Sequence, residues 1–421
     1  MTTNGARTMA FQQVQVIGAG HVGLVLALHL AESGFAIDVV DLPHRISQLE
    51  NSDSGFHEPG IQQRLGYALR AGLVHLYDRP CAAAPDRVSF ICIGDPGDRG
   101  VISANPVLEL VTDARSELDT GTVCIRSTVP VGTTRQVATT LPHATVLHVP
   151  EFLREGSAFT DLAAQDEVVI GMSDPADAMS PQVSAVLTRL GVSMSRSTWE
   201  TTESLKILRN ALNAVRICFV NEAYAAIGGN WTDPAYIAQR LITLPSSYGM
   251  PGLPPGGSCL PAAIKYVIEQ ATLREIQVPM LAAVPASSTA RLDAIAAAIV
   301  ARVVRRVLIL GVSYRPSTDD LTASWALRLT ELLVQLGCEV RAVDPYMPSG
   351  TVYGLKLVEA DDGVAWAEHI VLAVAHPELV KFAGTLDPEM VTDVSAIQPT
   401  QAGAAEVAAP SLSQNYSVSW R

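Results

Sequence analysis

Gly18-Ala19-Gly20-His21-Val22-Gly23 follows the apolar run Val14–Ile17 and opens an apolar stretch of helical character to about Ser33. A strand, a glycine-spaced turn and a helix in that order make the first unit of a dinucleotide-binding sheet. Gly18 serves the tight turn, Gly20 lets backbone approach a pyrophosphate, and Gly23 permits close helix–strand packing. The helix N-terminus, at His21 and Val22, then faces the phosphate. The next strand, Phe35–Val40, ends in Asp41. An acid there accepts hydrogen bonds from both ribose hydroxyls and repels a 2′-phosphate, which favours NAD over NADP. Arg45, close by in sequence, softens that preference.

Strand and helix keep alternating. Val88–Ile93, Val123–Ile125 and Thr145–Val149 are further apolar strand candidates with helical stretches between them, which implies a parallel sheet with crossover helices. From Thr198 to Gly228 the period changes. Leu205, Leu208, Leu212, Val215, Phe219 and Ala223 recur at helical spacing, and Gly228-Gly229 supplies a stop. Helical segments continue to about Ala301. At Arg305 the first pattern returns, with strands Val307–Leu310, Glu339–Val343 (ending in Asp344-Pro345) and Ile370–Ala375, and a helix over Ser324–Leu336. The fold class is α/β: two Rossmann-like parallel-sheet domains joined by a long central helix and a helical middle domain. The expected division is 11–196 for the dinucleotide domain, 197–301 for the helical domain with a cysteine loop, and 302–398 for the second sheet domain. Residues 399–421, rich in Ala, Ser, Pro and Gln, form a loosely held tail. A length of 421 residues, 48% hydrophobic, suits two or three such cores.

The formal charge of −13 argues against a general nucleic-acid or anionic-membrane binder, although a local basic pocket stays open. The six cysteines are scattered, with no CxxC and no metal-ligand spacing with histidine. Cys92, Cys124 and Cys218 lie in apolar runs, a pattern that fits a reducing cytoplasm. Met1–Ala10 lacks the apolar stretch of a signal peptide, and Val22–Leu30 is too short to span a bilayer.

Cys259, in Gly256-Gly257-Ser258-Cys259-Leu260-Pro261, is the candidate for covalent chemistry. A nicotinamide site oxidises an alcohol to an aldehyde without a thiol, but going on to an acid is easier if a thiolate adds to the aldehyde and presents a hydride again. Taken alone, Cys259 also fits a buried free cysteine acting as a small hydrophobe. Lys206 and Asn210, four apart, share one helix face, so a cation and an amide donor aimed together would stabilise an oxyanion; a solvated polar pair is the plainer reading. Lys206 as a neighbour would lower the Cys259 pKa. Glu151 and Glu155 face the same way if their turn is helical, and one of them could act as a base; helix-start acids facing solvent are the alternative. Ser127-Thr128 follows a strand's C-terminal end, where open α/β sheets place ligands, or simply turns the chain. Asp319-Asp320 reads as an N-cap of the next helix, Arg315 as a fork for phosphate or ribose oxygens, and His376 as a strand end.

An ordered set of motifs resembles the nucleotide-sugar 6-dehydrogenases, the UDP-glucose, GDP-mannose and UDP-N-acetylmannosamine dehydrogenase family, from about residue 11 to 380. The set comprises Gly18–Gly23 with Asp41, Glu58-Pro59-Gly60, Ser127–Thr134, Pro150–Gly156, Lys206 with Asn210, Asn221-Glu222, Gly256–Pro261, Leu310-Gly311 with Tyr314–Asp320, and Asp344-Pro345. The resemblance implies NAD in the first domain, with Gly18, Gly20, His21, Val22, Gly23, Asp41, Arg45, Ser127, Thr128 and Glu155 around it. It implies a nucleotide-sugar substrate beside Phe152, Leu153, Lys206, Asn210, Gly257 and Arg315, and a homodimer formed through the central helix. Cys259 would form a thiohemiacetal and then a thioester, Lys206 and Asn210 would hold the oxyanions, and Glu155 would serve the hydrolytic water. Glu151 and Thr128 would organise water and proton transfer. A UDP-hexose oxidised at C6 to its uronic acid, with two NADH per sugar, is the implied activity.

The chain departs from that pattern in several places. Ala262-Ala263 replaces the Lys-Asp usual after Cys-Leu-Pro, with Lys265 a turn beyond as a substitute if it points inward. Ile93-Gly94-Asp95-Pro96 lacks the usual threonine, Thr322 stands for an arginine, and no arginine occurs in Leu244–Pro251. Restoring the acid by Ala263→Asp is therefore expected to speed thioester hydrolysis. A two-electron dehydrogenase on another hydroxylated substrate, and a non-catalytic dimeric binding protein, stay as alternatives.

Overall fold

The computed structural model describes residues 13–94, 101–191, 193–226 and 252–395. Asp95-Pro96, Gly228-Gly229, Leu244–Pro251, the leader and the tail lie outside the described residues. The first sheet contains β1 (Gln13–Ile17), β2 (Ala36–Val40), β3 (Val74–Tyr77), β4 (Val88–Ile91), β5 (Thr122–Ile125), β6 (Thr145–His148), β7 (Glu167–Met172) and β8 (Ser193–Thr198). Their order is β3-β2-β1-β4-β5-β6-β7-β8, parallel except between β6 and β7. The chain order reverses at β1 and β4, and a crevice opens there at the strands' carboxyl ends. Strands such as Val88–Ile91 are buried at every residue, as a sheet covered on both faces requires.

The second sheet contains β9 (Arg306–Leu310), β10 (Glu339–Val343), β11 (Gly350–Val352), β12 (Leu355–Leu357), β13 (His369–Leu372) and β14 (Val391–Asp393), ordered β11-β12-β10-β9-β13-β14. It repeats the local geometry of the first. Gly18 N donates to Val40 O and Gly311 N to Val343 O, each at 2.8 Å. The acid ending the second strand of each unit then accepts from the glycine turn: Asp41 from Ala19 N at 2.6 Å, Asp344 from Val312 N at 2.9 Å.

Between the sheets runs the central helix Trp199–Ala226, followed by helices Cys259–Leu273 and Pro279–Val300. The stripe that predicts the central helix is not its core face. Leu205, Leu208, Leu212 and Phe219 are 41%, 55%, 54% and 58% exposed, while Ile207, Ala211, Ala214 and Cys218 are buried. Ala223's side chain lies outside the described set. Trp199 Nε1 donates to Val146 O at 3.0 Å and pins the helix to the sheet. Glu203, buried, accepts from Gly132 N (2.6 Å), Thr134 N (2.7 Å) and Thr134 Oγ1 (2.6 Å). Its carboxylate thereby caps the helix Thr133–Thr140, where an anion meets the positive end of the dipole. Pro279–Val300 is long and apolar enough to cross a bilayer by composition. Here, however, Val284 joins the apolar cluster of the central helix, and Leu292, Ile295 and Ile299 join the core of the second sheet.

The cysteine loop is tied down from three sides. Asn221 Oδ1 accepts from Gly252 N at 2.7 Å, Arg291 Nε donates to Gly252 O at 3.0 Å, and Trp325 Nε1 donates to Pro255 O at 2.9 Å. Asp319-Asp320 does not cap the following helix. Ser324 does, accepting from Leu327 N at 3.2 Å, while Asp319 accepts from His57 N of the first domain at 2.9 Å. That contact and the His57–Tyr346 stack, with centroids 3.8 Å apart, close the two sheet domains on each other.

Candidate active site

The glycine turn has room for a phosphate. A Cβ on Gly23 would lie 1.7 Å from Gly18 O, so the first helix presses on the turn, whereas a Cβ on Gly20 would meet nothing within 4 Å and would instead fill the cradle. The side chains around it are tensioned by the protein itself. Asp41 holds Ala19 N and, at 2.7 Å, Leu42 N; a carboxylate has further lone pairs to offer a ribose. Arg45, expected at the cofactor, is committed elsewhere: it donates to Ala19 O at 2.8 Å, to Gln48 Oε1 at 3.1 Å and to Ser54 O. Its role here is to brace the turn. His21 stacks on Phe56 and meets Glu58 Oε2 at 2.6 Å. Glu58 also accepts from Gly156 N (2.7 Å) and Ala158 N (2.8 Å), joining the glycine turn to the Glu151–Glu155 loop.

That loop forms no helix, with a turn only at 155–156, so its two acids part company. Glu151 turns inward. Lys206 Nζ donates to its Oε1 at 2.6 Å and its carbonyl at 2.7 Å, and Oε2 accepts from Leu153 N at 2.6 Å. Burial works to raise the Glu151 carboxyl, but Lys206, with Arg126 behind it, outweighs burial and holds it below the ordinary range. Glu155 faces the second sheet domain. Burial is the main cause that pushes its carboxyl up, and Oε2 is enclosed with no hydrogen-bond partner.

Cys259 begins a helix and is an exposed residue, although protein encloses its sulfur, which lies 3.6 Å from Ser258 Oγ. Protein packed round the sulfur pushes the thiol up; Lys206 pulls it down without prevailing, so the expected net lowering by Lys206 is not realised in the resting state. Lys206 uses two of its three protons on Glu151, which leaves one for a substrate oxygen. Asn210, half-buried on the same face, makes no side-chain hydrogen bond among the described residues. The site therefore brings together Cys259, Lys206 and Glu151 with a free amide nearby.

Other candidates fall less neatly. Phe152 sits under the Lys206 ammonium and the Arg209 guanidinium, 5.5 and 4.2 Å from its centroid, while Leu153 packs on the first core. Ser127 Oγ donates to Ile91 O at 3.2 Å, and Thr128 beside it is half-buried. Gly257 (φ +77°) carries no Cβ because one would lie 2.6 Å from the Tyr314 ring. Arg315 is half-buried, with Nε enclosed and without a hydrogen-bond partner among the described residues. Lys265 is exposed and cannot replace a charge inside. His376 is enclosed, between Ser313 Oγ at 2.9 Å and Asp344 Oδ2 at 3.3 Å.

Sequence reasoning missed Arg126 and His148. Arg126 is fully buried, its side chain donates among the described residues only to Val149 O at 3.4 Å, and it stands behind Glu151. Its signal was a charge adjoining an apolar strand. His148 bonds Thr202 Oγ1 at 2.8 Å; burial, then Lys206, push it down to about 3, so it stays neutral. Ala263 is 0% exposed in an apolar cluster with Ile207, Ala211, Ala214 and Ile264, one helical turn beyond Cys259. Ala263→Asp would put a carboxylate into that cluster and should lower stability by ~3 kcal/mol or more, read by urea unfolding.

A glycine-cradled dinucleotide fold, a second such sheet and a cysteine site between them define an NAD-dependent oxidoreductase with a cleft for a second, nucleotide-bearing ligand. Family models match three successive stretches of the chain: the NAD binding domain over residues 12–190, the central domain over 200–289 and the UDP binding domain over 308–399. The chain belongs to the UDP-glucose/GDP-mannose dehydrogenase family, as a nucleotide-sugar dehydrogenase. It is 31% identical to a UDP-glucose 6-dehydrogenase of Rhizobium meliloti (strain 1021), over 83% of this chain and 84% of that protein. It is 27% identical to a GDP-mannose 6-dehydrogenase of Azotobacter vinelandii, over 94% and 99%. A solved UDP-glucose dehydrogenase from the archaeon Pyrobaculum islandicum shares the fold, with a TM-score of 0.78 at 24% identity, covering 93% of this chain and 96% of that one.

Proposed function

We propose that this protein oxidises a UDP-hexose at C6 to its uronic acid, through an aldehyde and a thioester on Cys259, with two NADH per sugar. The observation that carries the reading is Cys259 beside the buried Lys206–Glu151 pair. Bound NAD supplies the hydride acceptor for both oxidations. The chain's residues do the rest. Lys206's spare proton and the Asn210 amide stabilise the oxygen that gains charge when the sulfur adds to the aldehyde. Glu151 keeps the ammonium aimed. The raised thiol means that Cys259 must lose its proton when substrate arrives, so acid formation rises with pH through neutrality.

The R. meliloti relative supports UDP-glucose as the substrate to try first. The exposed Leu205, Leu208, Leu212 and Phe219 stripe supports a homodimer through the central helix, since a monomer has no use for such a face. Six free cysteines support a reducing cytoplasm. Purified protein, NAD and a panel of UDP-, GDP- and dTDP-sugars test the reading by NADH counted per sugar consumed. Two per UDP-hexose is expected. One would leave a two-electron dehydrogenase, consistent with the apolar Ala262-Ala263, and none a binding protein.

A further inference from the structure

Ser313, Asp344 and His376 meet inside the second sheet domain, each 6% exposed or less. Ser313 Oγ lies 2.9 Å and Asp344 Oδ2 3.3 Å from His376 Nε2. The residue types are those of a hydrolytic triad, but the connections differ. In a triad the serine and the acid bond opposite ring nitrogens. Here both face Nε2, and the Ser313 hydroxyl donates its proton to Arg315 O at 2.8 Å. Nδ1 instead accepts from Ser317 N at 3.1 Å. An accepting Nδ1 puts the ring proton on Nε2, where Ser313 Oγ and Asp344 receive it. The imidazole thus bonds both ends of the Ser313–Ser317 turn.

Ser317 stands at φ +59°. A residue with a Cβ keeps that left-handed conformation only when its surroundings impose it, and the bond to His376 does so from behind. In front, the turn meets both loops of the site. A Cβ on Gly257 of the cysteine loop would lie 2.6 Å from Tyr314 Cε2. A Cβ on Gly156, beside Glu155, would lie 2.5 Å from Pro316 O and 2.9 Å from Ser317 O. Between those contacts the turn carries Arg315, whose enclosed Nε has no hydrogen-bond partner among the described residues. We infer that His376 is a positioning residue for the nucleotide sugar: it holds the Ser313–Ser317 turn, with Tyr314 and Arg315, in the shape that the ligand's nucleotide meets. The inference rests on the function proposed above for its probe, UDP.

His376→Leu occupies much of the ring's space and makes neither bond. Its Kd for UDP, by calorimetry on the full chain, and its KM for UDP-glucose should rise roughly tenfold or more. NAD affinity and kcat at saturating sugar should stay within about twofold of wild type. His376→Asn, with an amide oxygen to replace Nδ1 as acceptor, should keep most of the UDP affinity, whereas His376→Gln, with its amide at the Nε2 side, should lose it as leucine does. A double variant separates positioning from packing. Glycine adopts the left-handed conformation unaided, so Ser317→Gly should return most of the UDP affinity to His376→Leu, although it restores no packing at 376. Nitrogen-15 spectra of the wild type should show His376 Nδ1 unprotonated, with or without ligand. A proton on Nδ1, wild-type UDP affinity in His376→Leu, equal losses for UDP and NAD, or no recovery with Ser317→Gly would each overturn the proposal. GDP titrated beside UDP keeps the two readings apart. A wild type that binds GDP and not UDP overturns the UDP-hexose reading, and the His376 variants are then compared with GDP.

Discussion

Cys259→Ser should stop acid formation, by about 10⁴-fold or more, while NAD binding stays at the wild-type level. The separation is structural. The dinucleotide cradle is built from Gly18–Gly23, Asp41 and the Glu58 link, and among the described residues none of these hydrogen-bonds the cysteine loop. Cys259 starts its helix after Ser258, and among the described residues its Sγ meets only that neighbour in a hydrogen bond. A serine there fits the same backbone but has a hydroxyl far harder to ionise than a thiol, at a place where even the thiol is pushed up by burial. The covalent route therefore closes. Intrinsic quenching on NAD titration, NADH stoichiometry and uronic acid by mass spectrometry are the readouts. Wild-type yields of acid from the serine protein would remove the sulfur from the chemistry.

The two sheets were readable because their strands are continuous apolar runs between glycine turns, and burial on both faces demands that pattern. Val74–Tyr77, Glu167–Met172, Gly350–Val352, Leu355–Leu357 and Val391–Asp393 were not read as strands. Ser193–Thr198 escaped because its sequence, SMSRST, has no apolar run; it is a strand because β7 lies beside it for six register pairs. Val88–Ile93 and Ile370–Ala375 were read too long, since Cys92 and Ala373 still donate to the neighbouring strand as the chain turns away. The central helix was found through its exposed stripe, because leucines mark a period whichever way they face. In the site, Cys259, Lys206 and Glu151 were legible from residue type. Their partners were not. The Glu151–Lys206 bond spans 55 positions and the Glu203–Thr134 bond 69, and no local pattern reports such a pairing. The helical turn expected at Glu151–Glu155 failed for a related reason: Leu153 N is spent on Glu151's own side chain.

Lys206→Met should damage stability and turnover together. Lys206 and Glu151 are both enclosed, with side chains 5% and 9% exposed, and meet at 2.6 Å. Removing the ammonium leaves a buried carboxylate whose burial is opposed only by Arg126 and the Leu153 amide. Breaking one partner of such a pair costs ~3–5 kcal/mol. In the wild type the Glu151 carboxyl is depressed. Its contribution is therefore present above the unfolded carboxylate value and is lost as pH falls through the folded one. In Lys206→Met the carboxyl rises, so the defect is largest at neutral pH and shrinks on acidification. Urea unfolding at pH 7 and pH 5 reads this reversal. Adding Glu151→Gln should recover much of the stability, because the uncompensated charge is then gone, but none of the turnover. Acid formation should fall on the order of 10²- to 10³-fold for loss of the oxyanion donor. A stability loss under ~1 kcal/mol at pH 7, the size of a solvent-exposed pair, would mean that water reaches this bond and that Lys206 is held in place by something other than Glu151.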